Sequence, residues 1–248
     1  GRIIMSKIAI IIPSRLDAVR LPNKPLELIN NKEMILHVYE AAKKTDSEVY
    51  VATPDQKIID VVNQNKGKAV LTSTDHQTGT DRVYEVFKDH LNSEPNLIIN
   101  LQGDMPNIEP QAISNLINYM KEGNCDIGTL ASSFSSDDEL ADENNVKVAA
   151  KEKLTNGKFS EALDFFRKDS NEYENYYHHV GIYAFTNKAL VRYVSLKRSK
   201  LELERKLEQL RALENSMSIH VGYINSSPLS VDTKNDLMEV RKIMEKIS

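Results

Sequence analysis

Short runs of aliphatic and β-branched residues alternate with segments of helical spacing through the first half of this chain. A chain so patterned buries its apolar side chains most readily as parallel strands covered by helices. The runs are Lys7–Ile12, Val49–Ala52, Ala69–Thr72 and Leu97–Leu101. The spacing predicts helices over Lys32–Lys43, with Met34, Ile35, Val38, Ala41 and Ala42 on one face, and over Asp55–Asn65. It predicts a third helix over Asp81–His90, capped by Thr80 or Asp81, and a fourth over Pro110–Lys121 with proline in its first turn. Four βα units of this kind imply an α/β fold with a doubly wound, mostly parallel sheet.

From about Asp126 to Tyr183 the pattern loosens, with a polar run at Ser132–Asn145 and a charged aromatic stretch at Asp164–Tyr177. This stretch, roughly 126–185, reads as an inserted excursion. A strand over Val180–Phe185, a helix over Lys188–Val194, a long charged helix over Leu201–Asn215, a strand over Ile219–Ile224 and a helix over Lys234–Ile247 are expected after it. No repeat or low-complexity linker divides the chain, so residues 5–248 read as one domain with an embellishment, and Gly1–Ile4, ahead of Met5, as a vector-derived remnant.

Composition narrows the function classes. With a formal net charge of −4, the chain has no global basic field for sequence-independent nucleic-acid binding, so any anion site is local. No apolar run approaches the roughly 18–20 residues of a membrane span. One cysteine, Cys125, excludes an internal disulfide framework and an all-cysteine metal cage, and a reducing cytoplasm is the expected address.

The stretch that carries chemistry is PSRLDAVRLPNKPL, residues 13–26, directly after the first strand. In open α/β sheets ligands sit beyond the carboxyl ends of strands. Arg15, Arg20 and Lys24 there can wrap a polyphosphate, because arginine grips two phosphate oxygens at once and lysine adds a compact charge. Neither G-x-G-x-x-G nor G-x-x-x-x-G-K-[ST] occurs, so the loop must hold phosphate mainly by side chains. A polyphosphate reaction brings Mg2+, which needs only one or two protein carboxylates. Asp104, after the fourth strand, and Asp232, after Ser230-Val231, can both reach that sheet edge. A plain turn explains Asp104 and a helix N-cap explains Asp232 equally well.

PSRLDAVRLPNKPL, HQTGTDR at 76–82, NLQGDMP at 100–106, HVGIYAF at 179–185, LEQLRAL at 207–213 and VDTKNDL at 231–237 stand in the order seen in the 3-deoxy-manno-octulosonate (Kdo) cytidylyltransferase family, which the chain resembles from Ile8 to about Leu237. The resemblance implies the nucleotide-diphospho-sugar transferase type of fold. It implies transfer of CMP from CTP to the anomeric hydroxyl of Kdo with release of pyrophosphate, a step of lipopolysaccharide synthesis. It further implies that Arg15, Arg20 and Lys24 contact the triphosphate, that Thr78, Gly79 and Arg82 hold the nucleotide, and that Asp104 and Asp232 ligate Mg2+. Arg15, Lys24, Asp104 and Asp232 are then the catalytic set. On the sugar side it points to Gln102, His179, Tyr183, Glu208 and Gln209. Taken singly, His179 could be a satisfied strand-end histidine, Tyr183 core packing, and Glu208–Gln209 solvated surface. Family members are homodimers, which makes 126–185 the expected interface.

Two departures bear on the resemblance. Asn23 stands where the family has glycine, and Ala18-Val19 where it has a hydroxyl residue; asparagine tolerates left-handed backbone, so the turn can survive. In LDFFRKD, 163–169, Arg167 is kept but Phe166 replaces the family's serine, which leaves the sugar less defined than the nucleotide. Alternatives are 8-amino-Kdo or another sugar acid as acceptor, or a nucleotide-binding homologue without catalysis.

Overall fold

A computed structural model describes residues 7–247; the expected remnant at Gly1–Ile4 lies outside them. The chain forms two compact units, one of residues 7–114 with 228–247, the other of residues 115–227.

In the first unit β1 (Ile8–Pro13) leads through the loop of 14–23 to a short 3-10 turn at Lys24–Leu26. A two-residue hairpin follows, β2 (Leu28–Ile29) and β3 (Lys32–Glu33), with Asn30 and Asn31 at φ 52° and 61° in its turn. Paired positive φ values match the twist of a tight hairpin, and asparagine tolerates them best after glycine. The hairpin takes up Lys32 and Glu33, so the expected helix begins later, as α1 (Met34–Lys43). Then come β4 (Glu48–Thr53), α2 (Gln56–Gln64), β5 (Ala69–Leu71), α3 (Gly79–Glu85) running into a π turn at Val86–His90, β6 (Leu97–Leu101) and the start of α4 (Pro110–Met120), whose residues from Asn115 on belong to the second unit. The strand order is β5-β4-β1-β6, every pair parallel. Ile10, Ile11 and Ile12 are fully buried, which is why β1 reads as an unbroken apolar run rather than an alternation. Successive strands leave β1 first to one side and then to the other. The carboxyl ends of β1 and β6 therefore flank a switch point, where open sheets take ligands.

The second unit contains β7 (Ile127–Ser132), α5 (Asp137–Ala141), β8 (Lys147–Ala150), β9 (Phe159–Phe166), β10 (Tyr176–Thr186), α6 (Asn187–Ser195), α7 (Lys200–Arg205), α8 (Leu210–Glu214) and β11 (Ile219–Tyr223). Its strand order is β10-β7-β11-β9-β8, and a further β10–β8 pairing joins the ends. Only β7–β11 is parallel among its described pairings. The stretch read as irregular is thus itself largely strand.

The long helix expected over Leu201–Asn215 is two short ones. Lys206 takes a left-handed conformation, φ 57° and ψ 45°, and its N–H and that of Leu207 both bond to the Glu202 carbonyl. This closes α7 as a glycine usually would, and turns Leu207 into the core at 5% exposure. The last helix, α9 (Lys234–Ile247), returns to the first unit. Its Leu237 and Val240 pack with Leu21, Ile29, Met34 and Val231. No described helix is long and apolar enough to cross a membrane.

Candidate functional site

A cleft of about 360 Å3 opens at the carboxyl ends of β1 and β6, lined from three loops: 13–25, 76–82 and 102–104. The first of these is anchored at both ends. The Leu16 N–H donates to Asp55 Oδ2 at 2.9 Å, and Leu21 is buried against Met34 and Val231. Asn23 has φ 60° and ψ 23°, the left-handed geometry expected where the family carries glycine. Lys24 then opens the 3-10 turn with Pro25 buried behind it, so its direction is fixed by backbone.

The cations of this loop stand beside carboxylates. Arg15 Nε is 3.2 Å from Asp17 Oδ1 and Arg20 Nη1 3.0 Å from Asp232 Oδ2, both exposed pairs. Lys24 Nζ is 3.7 Å from Asp104 Oδ2, with 17% and 22% of the two side chains exposed. Arg15 and Lys24 line the cleft; Arg20 does not.

Backbone contacts bring the two aspartates of the expected metal set together. The Val231 N–H donates to the Asp104 carbonyl at 2.8 Å, and the Leu229 N–H to Asn107 Oδ1 at 2.8 Å. Val231 is fully buried, so Asp232, its neighbour, is held beside the 104 loop. The alternative role for Asp232 does not apply: Thr233 caps α9, its Oγ1 taking the Asp236 N–H at 3.2 Å. Asp104 Oδ1 is buried with no hydrogen-bond partner. Burial pushes the Asp104 carboxyl above its ordinary range, against the opposing pull of Lys24. A shielded, half-satisfied carboxylate beside a second one fits a hard cation that completes its shell with phosphate oxygens. Among the described residues no cluster of three or more histidine, cysteine, aspartate or glutamate side chains could cage a metal unaided.

The wall at 76–82 is the start of α3. Thr78, not Thr80 or Asp81, is the N-cap, its Oγ1 accepting the Asp81 N–H at 3.1 Å. Gly79 follows, and a Cβ there would meet Pro13 Cγ at 3.3 Å, tight enough to push helix from strand. Gly103 is closer still, its absent Cβ 3.1 Å from Ile35 Cδ1 and 3.3 Å from Ile12 Cγ2. Arg82 is 2% exposed and donates from Nη1 to Thr72 Oγ1 and to the Ser73 carbonyl, 2.6 Å each. Burial, with Arg15 nearby, lowers its guanidinium pKa from the usual value.

Of the expected sugar residues, Gln102 lines this cleft. His179, Tyr183, Glu208 and Gln209 lie in the second unit. His179 and Tyr183 flank a register shift in β10, which re-aims side chains, and their rings are 5.4 Å apart. His179 Nε2 is 2.8 Å from Thr129 Oγ1, and burial drives its pKa down to about 3. Burial and the Glu208 charge push the Tyr183 phenol upward. Glu208 and Gln209 sit at the entry to α8, where Gln209 is 6% exposed, not solvated surface. Phe166 is buried against Tyr173 and Tyr176, with ring centroids 5.5 and 5.9 Å away. Arg167 donates to the carbonyls of Glu143, Asn144, Arg205 and Lys206.

Sequence reasoning gave no role to Asp55, Asn107 or Glu85, because each acts through a backbone N–H brought near only by the fold, nor to His76, whose ring meets Glu85 and which itself lines the cleft.

A family model described as cytidylyltransferase matches residues 9–219. A Bartonella henselae protein named 3-deoxy-manno-octulosonate cytidylyltransferase is 41% identical over 239 residues, 95% of this chain and 97% of its own. A Rickettsia bellii protein of the same name is 42% identical over 241 residues, 96% of each chain. Among solved structures, CMP:2-keto-3-deoxy-manno-octonic acid synthetase complexed with CTP superposes with a TM-score of 0.87 at 35% identity, covering 98% of this chain and all of the other.

Proposed function

This chain belongs to the cytidylyltransferase family, and we propose from that membership and from its cleft that it transfers CMP from CTP to the anomeric hydroxyl of 3-deoxy-manno-octulosonate, releasing pyrophosphate. The observation that carries this reading is the cleft at the switch point, where Arg15, Lys24 and Asp104 line one space together with Thr78, Gly79 and Arg82.

The hydroxyl oxygen attacks the α-phosphorus, and the bond from that phosphorus to the bridging oxygen of pyrophosphate breaks. Charge gathers on phosphate oxygens, so the protein's task is positioning and electrostatic stabilisation. Arg15 and Lys24 neutralise that charge in this reading, and Arg20 adds to it from the outer part of the loop. Gly79 and Thr78 let the nucleotide approach the backbone of α3, while Arg82, already bonded to Thr72 and Ser73, stiffens that wall. Asp104 and Asp232 would hold Mg2+, which when bound would supply positive charge toward the phosphates and make the attacking hydroxyl easier to ionise. Support for the metal comes from the partnerless Oδ1 of Asp104.

Gln102, His179, Tyr183, Glu208 and Gln209 are assigned to the sugar acid. His179, neutral through most of the pH range, offers a hydrogen bond rather than a charge. The homodimer implied by the resemblance, with 126–185 as interface and excursion of a single domain, belongs to the same proposal, as does a cytoplasmic address for a chain with one free thiol. The test is pyrophosphate release from CTP and Mg2+ with Kdo, 8-amino-Kdo and sialic acid supplied separately. Release with Kdo supports the reading; release with 8-amino-Kdo alone moves the acceptor. Silence with all three, from protein that binds CTP, overturns catalysis in favour of a nucleotide-binding homologue.

A further inference from the structure

Two side chains one turn apart on α3 reach back over the loop that precedes the helix. Arg82 takes Thr72 and the Ser73 carbonyl, as described. Glu85 takes the other side of the same residue: its Oε1 accepts the Ser73 N–H at 3.0 Å and lies 2.9 Å from His76 Nε2. The His76–Glu85 pair is largely shielded, with 19% and 20% of the side chains exposed. Burial opposes ionisation of Glu85, but the bonds from Ser73 and His76 outweigh it and lower the pKa from its ordinary value. Ser73 is thus held by both its backbone groups, and His76 by its ring, where the chain enters the cleft wall formed by His76, Gln77, Thr78 and Gly79.

We infer that Glu85 is a positioning residue for nucleotide binding: through Ser73 and His76 it fixes the 73–78 loop in the shape that receives CTP. The inference rests on the reading of the cleft as the nucleotide site. Without these grips the six residues 73–78 would sample many conformations, and the nucleotide would have to order them on binding. The cost falls on affinity, not on the chemical step, because Glu85 does not line the cleft.

The experiment compares wild type, Glu85→Ala, Glu85→Gln and His76→Leu. CTP affinity is read by calorimetry with Mg2+, kcat and KM by pyrophosphate release, and exchange of the Ser73 amide by NMR. Glu85→Ala should weaken CTP roughly tenfold, with kcat within about twofold and faster exchange at Ser73. Glu85→Gln should recover most of the affinity, since its amide oxygen can accept from Ser73 and its side chain keeps the length that reaches the His76 ring. Unchanged CTP affinity in Glu85→Ala overturns the inference, as does a loss borne by kcat or a Gln variant no better than Ala. If Glu85→Ala fails to fold, His76→Leu decides: affinity equal to wild type overturns it. Wild type that does not bind CTP would sink the functional reading instead.

Discussion

The Lys24 ammonium lies 3.7 Å from Asp104 Oδ2, while the other oxygen of the same carboxylate is buried without a partner. One side chain thus carries an ion pair on one oxygen and a vacant lone-pair direction on the other, and burial opposes its ionisation. Such a carboxylate is costly to the fold, and its use is to be sought in binding.

Asp104→Asn keeps the shape and removes the charge. Turnover should fall by at least about a hundredfold, the usual scale for deleting one electrostatic group from a transition state. Thermal stability should be unchanged or slightly raised, because a desolvated charge has been removed. Steady-state pyrophosphate release and calorimetric melting check both; near-normal turnover would remove Asp104 from the metal assignment.

Asn23 tests how the phosphate loop turns. At φ 60° a glycine fits without strain, so Asn23→Gly should lie within about 0.5 kcal/mol of wild type and keep its KM for CTP. Asn23→Val should cost about 1–2 kcal/mol and raise KM, since a β-branched residue resists this backbone. Urea unfolding and initial rates with varied CTP measure the two effects. An Asn23→Val protein as stable as wild type would mean that the turn is not held left-handed in solution.

Much of this was legible beforehand, and what was missed has a common cause. The runs that became β1 and β6 announced themselves because strands buried on both faces are continuously apolar. The left-handed turn at Asn23 was readable because few residues accept that backbone. The break at Lys206 was not. No glycine or proline marks it, the helical spacing runs through it, and the stop is imposed by contacts distant in sequence: Arg205 reaching Asp164 and the Phe165 carbonyl, and Arg167 reaching the carbonyls of Arg205 and Lys206. Glu85 was invisible for the same reason, since its value lies in a backbone N–H twelve residues earlier.

That break yields a stabilising substitution. Lys206→Gly removes the Cβ from a left-handed position while leaving the carbonyl that Arg167 uses, and should raise stability by about 1 kcal/mol. Denaturant midpoints of the two proteins decide it. No gain, or a loss, would show that the Lys206 side chain contributes as much as its backbone costs.

The acid limb of the stability curve should carry the signature of His179. Its pKa is depressed from 6.5 to about 3, chiefly by burial and secondarily by His178, so the folded protein resists a proton that the unfolded chain accepts. Thr129 bonds its ring, and Phe165 and Tyr183 pack around it, none of them offering a charge to hold an imidazolium. Between about pH 6.5 and 3 the unfolded state binds more protons, so stability is full above 6.5 and falls as the pH drops through that window. His179→Gln keeps a partner for Thr129 and cannot titrate. Melting temperatures of wild type and variant should therefore differ in slope below pH 6.5, the variant being flatter, and run parallel above it. Equal slopes on the acid side would mean that His179 is reached by solvent and titrates as an ordinary histidine, and the assignment of a neutral hydrogen-bonding role toward the sugar acid would fall with it.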